Sequence, residues 1–396
     1  MIYLDNAATT KPAPEVVEAM LPYLRECYGN PSAIHSLGSA AKKAVNRARR
    51  TIADAIGAGQ EEIFFTSGGT EADNWALKAG AEARRDRGRH VITTKIEHHA
   101  VLHTCRYLET RGYEVTYLDV DGDGLVDPEA LRAAIRPDTI LVSVMAANNE
   151  IGTVEPIREL GALARERGIL FHTDAVQAFG QMPLRMDELP VDLLSASGHK
   201  VNGPKGSGFL YVRSGLELPP LLHGGAQERR RRAGTENVPG IVGLEAATER
   251  ALRLMEEKTR RETALRDYLI QRIEKEVPHC RLNGHRTRRL PGNVNFSFRC
   301  VEGESLALML DMKGICASSG SACTSGDLDP SHVLLAIGRN AEEAGGSLRM
   351  TLSEENTREE LDYVVDSVRE TVRKLRDMSP SYAAFLRREG AGRVQP

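Results

Sequence analysis

The sequence predicts an α/β protein: a large domain with a mainly parallel sheet covered by helices, and a smaller α+β domain. Between residues 60 and 212, short runs of β-forming residues alternate with amphipathic stretches rich in Ala, Arg and Glu, a pattern typical of βαβ units. A long, charged helical stretch, Asn237–Glu276, follows, and we expect it to join the two domains. With 396 residues, the chain is longer than one core usually serves.

The elements follow from the hydrophobic pattern and its turn signals. Strands of the large domain are expected at Ile63–Thr66, His90–Thr93, Val115–Leu118, Ile140–Val144, Ile169–His172, Leu193–Ala196 and Gly208–Val212, with helices at Glu15–Cys27, Glu71–Arg87 and Ile157–Arg167. In the smaller domain we expect strands at Asn293–Phe298 and Ser347–Thr351 and helices at Glu304–Asp311 and Asn356–Leu375. The predicted boundaries are 13–255 for the large domain, and 1–12 with 256–396 for the small one, against which the N-terminal segment would pack.

The composition is that of an ordinary globular protein. The formal net charge is only −3, so we expect no general attraction to nucleic acid or to an anionic membrane. No run of about 18 apolar residues predicts a transmembrane helix, and the N-terminus does not resemble a secretory signal. The cysteines are too sparse for a disulfide scaffold, which predicts a cytoplasmic protein with reduced thiols at Cys27, Cys105, Cys280, Cys300, Cys316 and Cys323.

Polar segments follow three of the predicted strands, at the carboxyl ends where open parallel sheets bind ligands. Ser67–Thr70 precedes a helix whose free N–H groups and positive dipole end suit a phosphate. A plain Ser/Gly turn before a helix is the alternative. After the next such strand, Asp174 and Gln177 could face a ring nitrogen and a ring oxygen. An N-cap role for Asp174 is the alternative there.

The third segment, Ser197-Gly198-His199-Lys200, places a lysine in a tight loop at a strand end. Such a lysine can form a Schiff base with pyridoxal 5'-phosphate (PLP), and Ser197 and His199 could bind the phosphate beside it. Lys205 is the rival lysine, although a Pro-Lys-Gly turn more often points outward. An amine, an acid and a phosphate cradle on one sheet are together what PLP requires.

Several motifs then resemble one family, the cysteine desulfurases of the NifS/IscS type, within the class-V aminotransferases and fold type I of the PLP enzymes. They are Tyr-Leu-Asp-Asn-Ala-Ala-Thr-Thr from Tyr3, Ser-Gly-Gly-Thr-Glu from Ser67, His-Thr-Asp-Ala-Val-Gln from His172 and Ser-Gly-His-Lys from Ser197. Glu97–Val101 resembles the family's active-site histidine segment, and Ser318–Ser325 resembles the catalytic-cysteine loop of its first group. The resemblance extends from Tyr3 to about Leu375.

The resemblance implies a role for each matching residue. Lys200 would carry PLP and move protons at the substrate α-carbon, and His98 would stack on the ring and assist acid–base steps. Asp174 would pair with the ring nitrogen, and Arg349 would clamp the substrate carboxylate with its bidentate fork. The other contacts would come from Gly69, Thr70, Ser197 and His199 around the phosphate, from Gln177 and Asn149 at the ring oxygen, with Asn149 also near the substrate, and from Thr235, which would reach the phosphate of the partner subunit in a homodimer.

Cys323 is the predicted nucleophile, because a thiolate is soft enough to attack the sulfur of a bound cysteine. The reaction would leave L-alanine and a Cys323 persulfide. The segment Ser318–Pro330 is long enough, at roughly 3.3 Å per extended residue, to carry a thiol over about 10 Å or more. For Cys316 we expect a place in a strand core, and for Cys27, Cys105, Cys280 and Cys300 we expect small buried side chains.

The persulfide sulfur would go to acceptors for iron–sulfur cluster assembly and other sulfur-containing cofactors, with a U-type iron–sulfur scaffold as the family expectation. Cys323 could then ligate a nascent cluster transiently, while no permanent metal site is expected; a zinc site at His99 and His103 is disfavoured because a third ligand is lacking. The Arg229–Arg232 run is interpreted as an interface or solvated face. The alternatives are a selenocysteine lyase, a small-substrate aminotransferase and a non-catalytic sulfur carrier.

Overall fold

The structure, a computed structural model, describes residues 1–319 and 330–392. Its strands in these ranges are β1 (Ile2–Tyr3), β2 (Ile63–Thr66), β3 (His90–Thr94), β4 (Glu114–Leu118), β5 (Thr139–Ser143), β6 (Leu170–Asp174), β7 (Leu193–Ser197), β8 (Gly208–Val212), β9 (Cys280–Leu282), β10 (Asn293–Phe298), β11 (Ile315–Cys316), β12 (Ser318–Ser319) and β13 (Ser347–Thr351). Every predicted strand is confirmed, with ends that agree within two residues.

The helices in the described ranges are α1 (Pro14–Arg25), α2 (Ser36–Ile56), α3 (Gly69–Ala83), α4 (His99–Thr110), α5 (Pro128–Ala134), α6 (Ile157–Glu166), α7 (Gln227–Arg230), α8 (Val238–Glu276), α9 (Gly303–Asp311), α10 (His332–Ala336), α11 (Ala341–Gly345), α12 (Arg358–Asp377) and α13 (Pro380–Gly392). The predicted helices are confirmed. The 21-residue helix α2 was not predicted. Among the described helices, none is long and apolar enough to cross a membrane.

The central sheet has seven strands in the order β2-β8-β7-β6-β5-β3-β4. All neighbouring pairs are parallel except those of β8, which runs antiparallel to both β2 and β7. Apolar side chains project from both faces of the sheet, as expected for parallel strands covered by helices. Phe64, Leu141 and Leu193 pack with α3 and α4 on one face. Phe65 and Phe171 pack with α2, α6 and the first part of α8 on the other.

A second core forms around a four-stranded antiparallel sheet with the order β12-β13-β10-β9. It includes Phe296 and Leu348 of this sheet, the end of α8, and helices α9 and α12. The 39 residues of α8 reach from the first core, through residues such as Leu244, to the second, through residues such as Ile270. The predicted packing of the N-terminal segment is confirmed, because β1 pairs with β11. The boundaries at residues 12/13 and 255/256 remain a prediction.

Candidate functional site

A cavity of about 340 Å³ opens beyond the carboxyl ends of β5, β6 and β7, and it brings most of the predicted site residues together. Its lining includes Gly69, Thr70, His98, Asn149, Asp174, Gln177, Ser197, His199, Lys200 and Arg349. Thr235 lines a different cavity, and Cys323 lies outside the described residues. These residues come from six separate segments of the chain and meet where open parallel sheets bind their ligands.

The turn before α3 forms a cradle for an anion. Gly68 has a φ of 150°, a conformation that L side chains rarely adopt. A Cβ on Gly69 would lie 2.5 Å from Cγ2 of Val176, so any larger residue there would force Val176 to move. The first N–H groups of the 15-residue helix α3 point out of its N-terminus, where the helix dipole favours negative charge. This geometry favours the phosphate cradle over a plain turn.

Lys200 follows β7 at the end of a short 3₁₀ turn, Gly198–Lys200. Its Nζ donates hydrogen bonds to the carbonyl oxygens of Ala7, at 2.5 Å, and Ala8, at 2.8 Å. Two backbone carbonyls of the N-terminal segment therefore hold the amine at the cavity wall. Lys205 is exposed and does not line the cavity, which leaves Lys200 as the candidate amine.

Asp174 ends β6 with only 5% of its surface exposed. Its Oδ1 accepts a hydrogen bond from the N–H of Val176 at 2.9 Å, so it does cap the following turn while it also faces the cavity. Burial raises the pKa of Asp174 to about 6. The hydrogen bond from Val176 and the charge of Lys200 lower the pKa and so offset part of the effect of burial. Gln177 donates from Nε2 to the carbonyl of Ala7 at 2.9 Å, the same oxygen that receives Lys200.

His98 caps the N-terminus of α4, and its Nδ1 accepts a hydrogen bond from the N–H of Ala100 at 3.1 Å. The neutral ring therefore carries its proton on Nε2, which is an N–H donor. Burial is the main reason that the pKa of His98 falls to about 4, and the charge of Lys200 adds to it. His98 is thus a neutral donor near pH 7. The pKa of His199 also falls to about 4, mainly through burial.

Arg349 lies in β13 with 3% of its surface exposed. One terminal nitrogen, Nη2, contacts Oδ1 of Asp5 at 3.0 Å, and the other, Nη1, donates to the carbonyl of Asn149 at 3.2 Å. The buried Nε has no hydrogen-bond partner among the described residues. A buried guanidinium with unused donor capacity at a cavity wall suits a carboxylate ligand.

Other residues of the site escaped the sequence analysis. Asp5 and the carbonyls of Ala7 and Ala8 belong to an N-terminal motif that carried the resemblance without suggesting a chemical role. Asp73 lines the cavity and is 1% exposed. Burial, followed by repulsion from Asp174, raises its pKa well above the usual range. Its place one turn after Gly69 on α3 was the available signal, since residues four apart share a helix face.

The structure also shows the surroundings of the His99 and His103 pair and of the Arg229–Arg232 run. The rings of His99 and His103 are centred 5.1 Å apart, and among the described residues no cluster of three or more His, Cys, Asp or Glu side chains could hold a metal ion.

In the arginine run, Arg229 donates to two backbone carbonyls and Arg232 pairs with Glu71, so intrachain contacts occupy these guanidinium groups.

The cysteine prediction was partly wrong. Of the four cysteines expected to be buried, Cys105 alone is buried, whereas Cys27, Cys280 and Cys300 are partly exposed, because they lie beyond α1, on an outer strand and in a turn rather than in the cores. Cys316 lies in a strand, β11, as predicted, but it is partly exposed too.

Comparison with known proteins agrees with this geometry. The family model described as Aminotransferase class-V matches residues 2–364. A protein of Methanosarcina thermophila named cysteine desulfurase IscS is 59% identical over 379 residues, which are 96% of this chain and 94% of the relative. A solved NifS-like protein superimposes with a TM-score of 0.89 and 39% identity, covering 94% of this chain and 99% of its own. A structure titled SspA in complex with cysteine has a TM-score of 0.79 and 38% identity, covering 90% and 100%.

Proposed function

This chain belongs to the class-V aminotransferase family, and we propose how the cavity performs its activity, that of a PLP-dependent cysteine desulfurase. The substrate is L-cysteine, and the products are L-alanine and sulfur held as a persulfide, for which Cys323 is the candidate thiol. One observation carries the proposal. An amine (Lys200), an acid (Asp174), an anion cradle (Gly69) and a buried guanidinium (Arg349) line a single cavity.

The residues fit PLP in charge and shape. Bound PLP supplies an electron sink that stabilises negative charge at the substrate α-carbon. The narrow passage at Gly69 and the N-terminus of α3 suit its phosphate. Asp174, ionised above pH about 6, suits a protonated ring nitrogen. The remaining proposed contacts are Thr70, Ser197 and His199 at the phosphate, with Gln177 and Asn149 at the ring oxygen.

Lys200 is the proposed attachment point of the cofactor and the group that moves the α-proton. The carbonyls of Ala7 and Ala8 fix its Nζ on one side of the cavity, which orients the amine before the cofactor attaches. His98 lines the same cavity, and its neutral ring carries the donor proton on Nε2. We assign to His98 the delivery of a proton and the stacking on the cofactor ring.

Arg349 is the proposed anchor for the substrate carboxylate. Asp5 and the carbonyl of Asn149 hold the guanidinium from two directions, and its Nε keeps a donor that no described residue uses. A carboxylate placed there would receive charge-assisted hydrogen bonds in a buried setting. The Asn149 side chain lines the same cavity and is the proposed second contact of the substrate.

The proposed partners are a second copy of the chain and a protein that accepts the sulfur. Thr235 is proposed to complete the phosphate site of a second copy of the chain, so the active form would be a homodimer. The persulfide sulfur would pass to a U-type iron–sulfur scaffold in the cytoplasm, and Cys323 could ligate a nascent cluster during that transfer. The name IscS, which the relatives carry, supports an iron–sulfur role.

The test is to measure sulfide and alanine released from L-cysteine with a thiol reductant, for the unmodified chain and for Cys323→Ala. Equal amounts of both products are expected from the unmodified chain, and no sulfide from Cys323→Ala although its bound-PLP absorbance is kept. Cys316→Ala is the matched control, because this partly exposed thiol lies outside the cavity, and it should release sulfide normally. Full activity of Cys323→Ala would refute the thiol assignment and point to a lyase; conversion of L-cysteine to 3-mercaptopyruvate without sulfide would point to an aminotransferase.

A further inference from the structure

The loop formed by residues 227–237, which includes the short element α7 and precedes α8, adopts a costly backbone conformation with non-helical dihedrals at Glu228 and Arg229. Glu228, Arg229 and Arg230 have φ values of 45°, 58° and 67°, which place three consecutive non-glycine residues in the left-handed region. Such strain persists only where the surroundings impose it. The structure therefore contains contacts that hold this loop in one arrangement.

Glu228 is the first of these contacts. It is 6% exposed, and its carboxylate receives two hydrogen bonds from Arg49, at 2.6 and 2.7 Å, and a third from the N–H of Phe65 at 2.9 Å. The guanidinium of Arg229 covers the ring of Phe64 at 4.1 Å. The loop is thereby fastened to β2, the strand that leads directly into the anion cradle.

The second contact joins the loop to the cradle itself. Arg232 donates from Nε and Nη2 to the two oxygens of Glu71, at 2.8 and 2.9 Å, and both side chains are at least four-fifths buried. Glu71 lies in the first turn of α3 and also accepts the N–H of Ser67 at 2.8 Å. Burial opposes its ionisation, but the bonds from Arg232 and Ser67 outweigh burial and lower its pKa. The pair is therefore a charged, bidentate clamp.

Thr235 follows Arg232 by three residues but cannot be assigned to the cavity of its own chain. It lines a separate cavity of about 190 Å³, together with Ser67 and Arg232. Gly69 and Thr70, on the same turn as Ser67, line the active-site cavity. The cradle turn thus separates the two cavities, with Thr235 on one side and the phosphate positions of its own chain on the other.

We propose that the Glu71–Arg232 ion pair couples the two active sites of the dimer by holding Thr235 in position for the partner. The inference rests on the proposed homodimer, in which Thr235 reaches across. A phosphate that orders the first turn of α3 orders Glu71, and through Arg232 it orders the loop that completes the other site. Because coupling between binding sites is reciprocal, occupancy at either site then favours occupancy at the other. Glu71 and Arg232 are positioning residues in this account.

Mixed dimers test the proposal directly. One chain carries Lys200→Ala, so that the absorbance of lysine-bound PLP reports only on the site of the other chain, which keeps all its own residues. Placing Arg232→Met on the Lys200→Ala chain changes only the loop that reaches the reporting site. We expect the PLP dissociation constant of that site to rise about tenfold. The matched control places Arg232→Met on the reporting chain instead, and we expect a change of less than about twofold.

A third mixed dimer distinguishes failure of the coupling inference from failure of the proposed cross-subunit role of Thr235. Thr235→Ala on the Lys200→Ala chain should weaken PLP binding at the reporting site about tenfold, and if it does not, the cross-subunit role in the proposed function is wrong. If Thr235→Ala weakens binding but Arg232→Met on the same chain does not, the coupling inference alone is wrong. Equal losses from Arg232→Met on either chain would show a local effect on the cradle and would also overturn it. Native mass and thermal unfolding of each dimer verify assembly and folding, and Arg232→Lys should recover part of the affinity.

Discussion

Arg349→Ala tests the proposed substrate contact most sharply. The guanidinium is 3% exposed and is already held by Asp5 and by the carbonyl of Asn149, so only part of its donor set remains for a ligand. We count one to two hydrogen bonds to the substrate carboxylate. A hydrogen bond to a charged group contributes about 1.5–3 kcal/mol, and a total loss of about 2.7 kcal/mol corresponds to about 100-fold in kcat/KM.

The assay is the steady-state rate of alanine formation at several concentrations of L-cysteine. Arg349→Lys is the matched control, because it keeps the positive charge but lacks the planar fork that binds a carboxylate through two bonds. We expect it to lose about tenfold in kcat/KM, between the unmodified chain and the alanine variant. The absorbance of bound PLP should be unchanged in both variants, since Arg349 is assigned to the substrate and not to the cofactor.

A kcat/KM within threefold of the unmodified chain, measured on Arg349→Ala with its PLP intact, would refute the reasoning. The substrate carboxylate would then be held by another group. Loss of bound PLP would refute it differently, because the guanidinium would have to support the cofactor site rather than the substrate.

Two further predictions concern other parts of the chain. Lys200→Ala should abolish both the absorbance of lysine-bound PLP and sulfide release, and an unchanged absorbance spectrum would remove Lys200 from its role. Arg49→Met should lower the free energy of unfolding of the apo chain by about 3–5 kcal/mol in urea, because it leaves the buried carboxylate of Glu228 without its cation. The exposed pair of Arg185 and Asp187 is the control, where Arg185→Met should cost less than about 1 kcal/mol; equal losses would contradict the burial argument.

The strands and the strand-end site residues were predictable because their signals are local. Apolar runs such as Leu193–Ala196 must be covered on both faces, which identifies strands of a buried sheet. Polar residues directly after such runs, including Asp174 and Lys200, then have to meet at one edge. These inferences need only the spacing of residues along the chain and the geometry of a parallel sheet.

The remaining features depend on contacts between distant segments. The direction of β8 is not encoded in its own pattern, since an antiparallel strand in this position is as apolar as its parallel neighbours. Helix α2 is an exception, because its buried face carries apolar residues at helical spacing, including Val45, Ile52 and Ile56, so a local signal for it was available. The partner of Arg349 is Asp5, which is 344 residues away in sequence. No local sequence pattern predicts such a pair.

Asp174 and Asp73 illustrate how two buried acids in one cavity acquire different pKa values. Burial raises both pKa values, but the Val176 hydrogen bond and the charge of Lys200 favour the carboxylate of Asp174, whose pKa reaches only about 6. Asp73 lies beside another acid and its pKa rises well above the usual range. The protonated form is therefore favoured more strongly at Asp73 than at Asp174, and Asp174 is the acid of this pair better suited to neutralise a protonated ring nitrogen.

The pH dependence of PLP binding to the apo chain follows from the different pKa values of Asp174 and Asp73. Affinity should be greatest above pH 6, where Asp174 is ionised, and should fall as the pH drops through about 6, because the protonated acid no longer pairs with the ring nitrogen. Asp174→Asn should bind about 10- to 100-fold more weakly at pH 8, the loss of one charged hydrogen bond, and should lack the midpoint near 6. Asp73→Asn should keep that midpoint, since an amide resembles the neutral acid. A midpoint lowered by a full pH unit in Asp73→Asn would mean that Asp73 is charged and repels Asp174, contrary to the assignment.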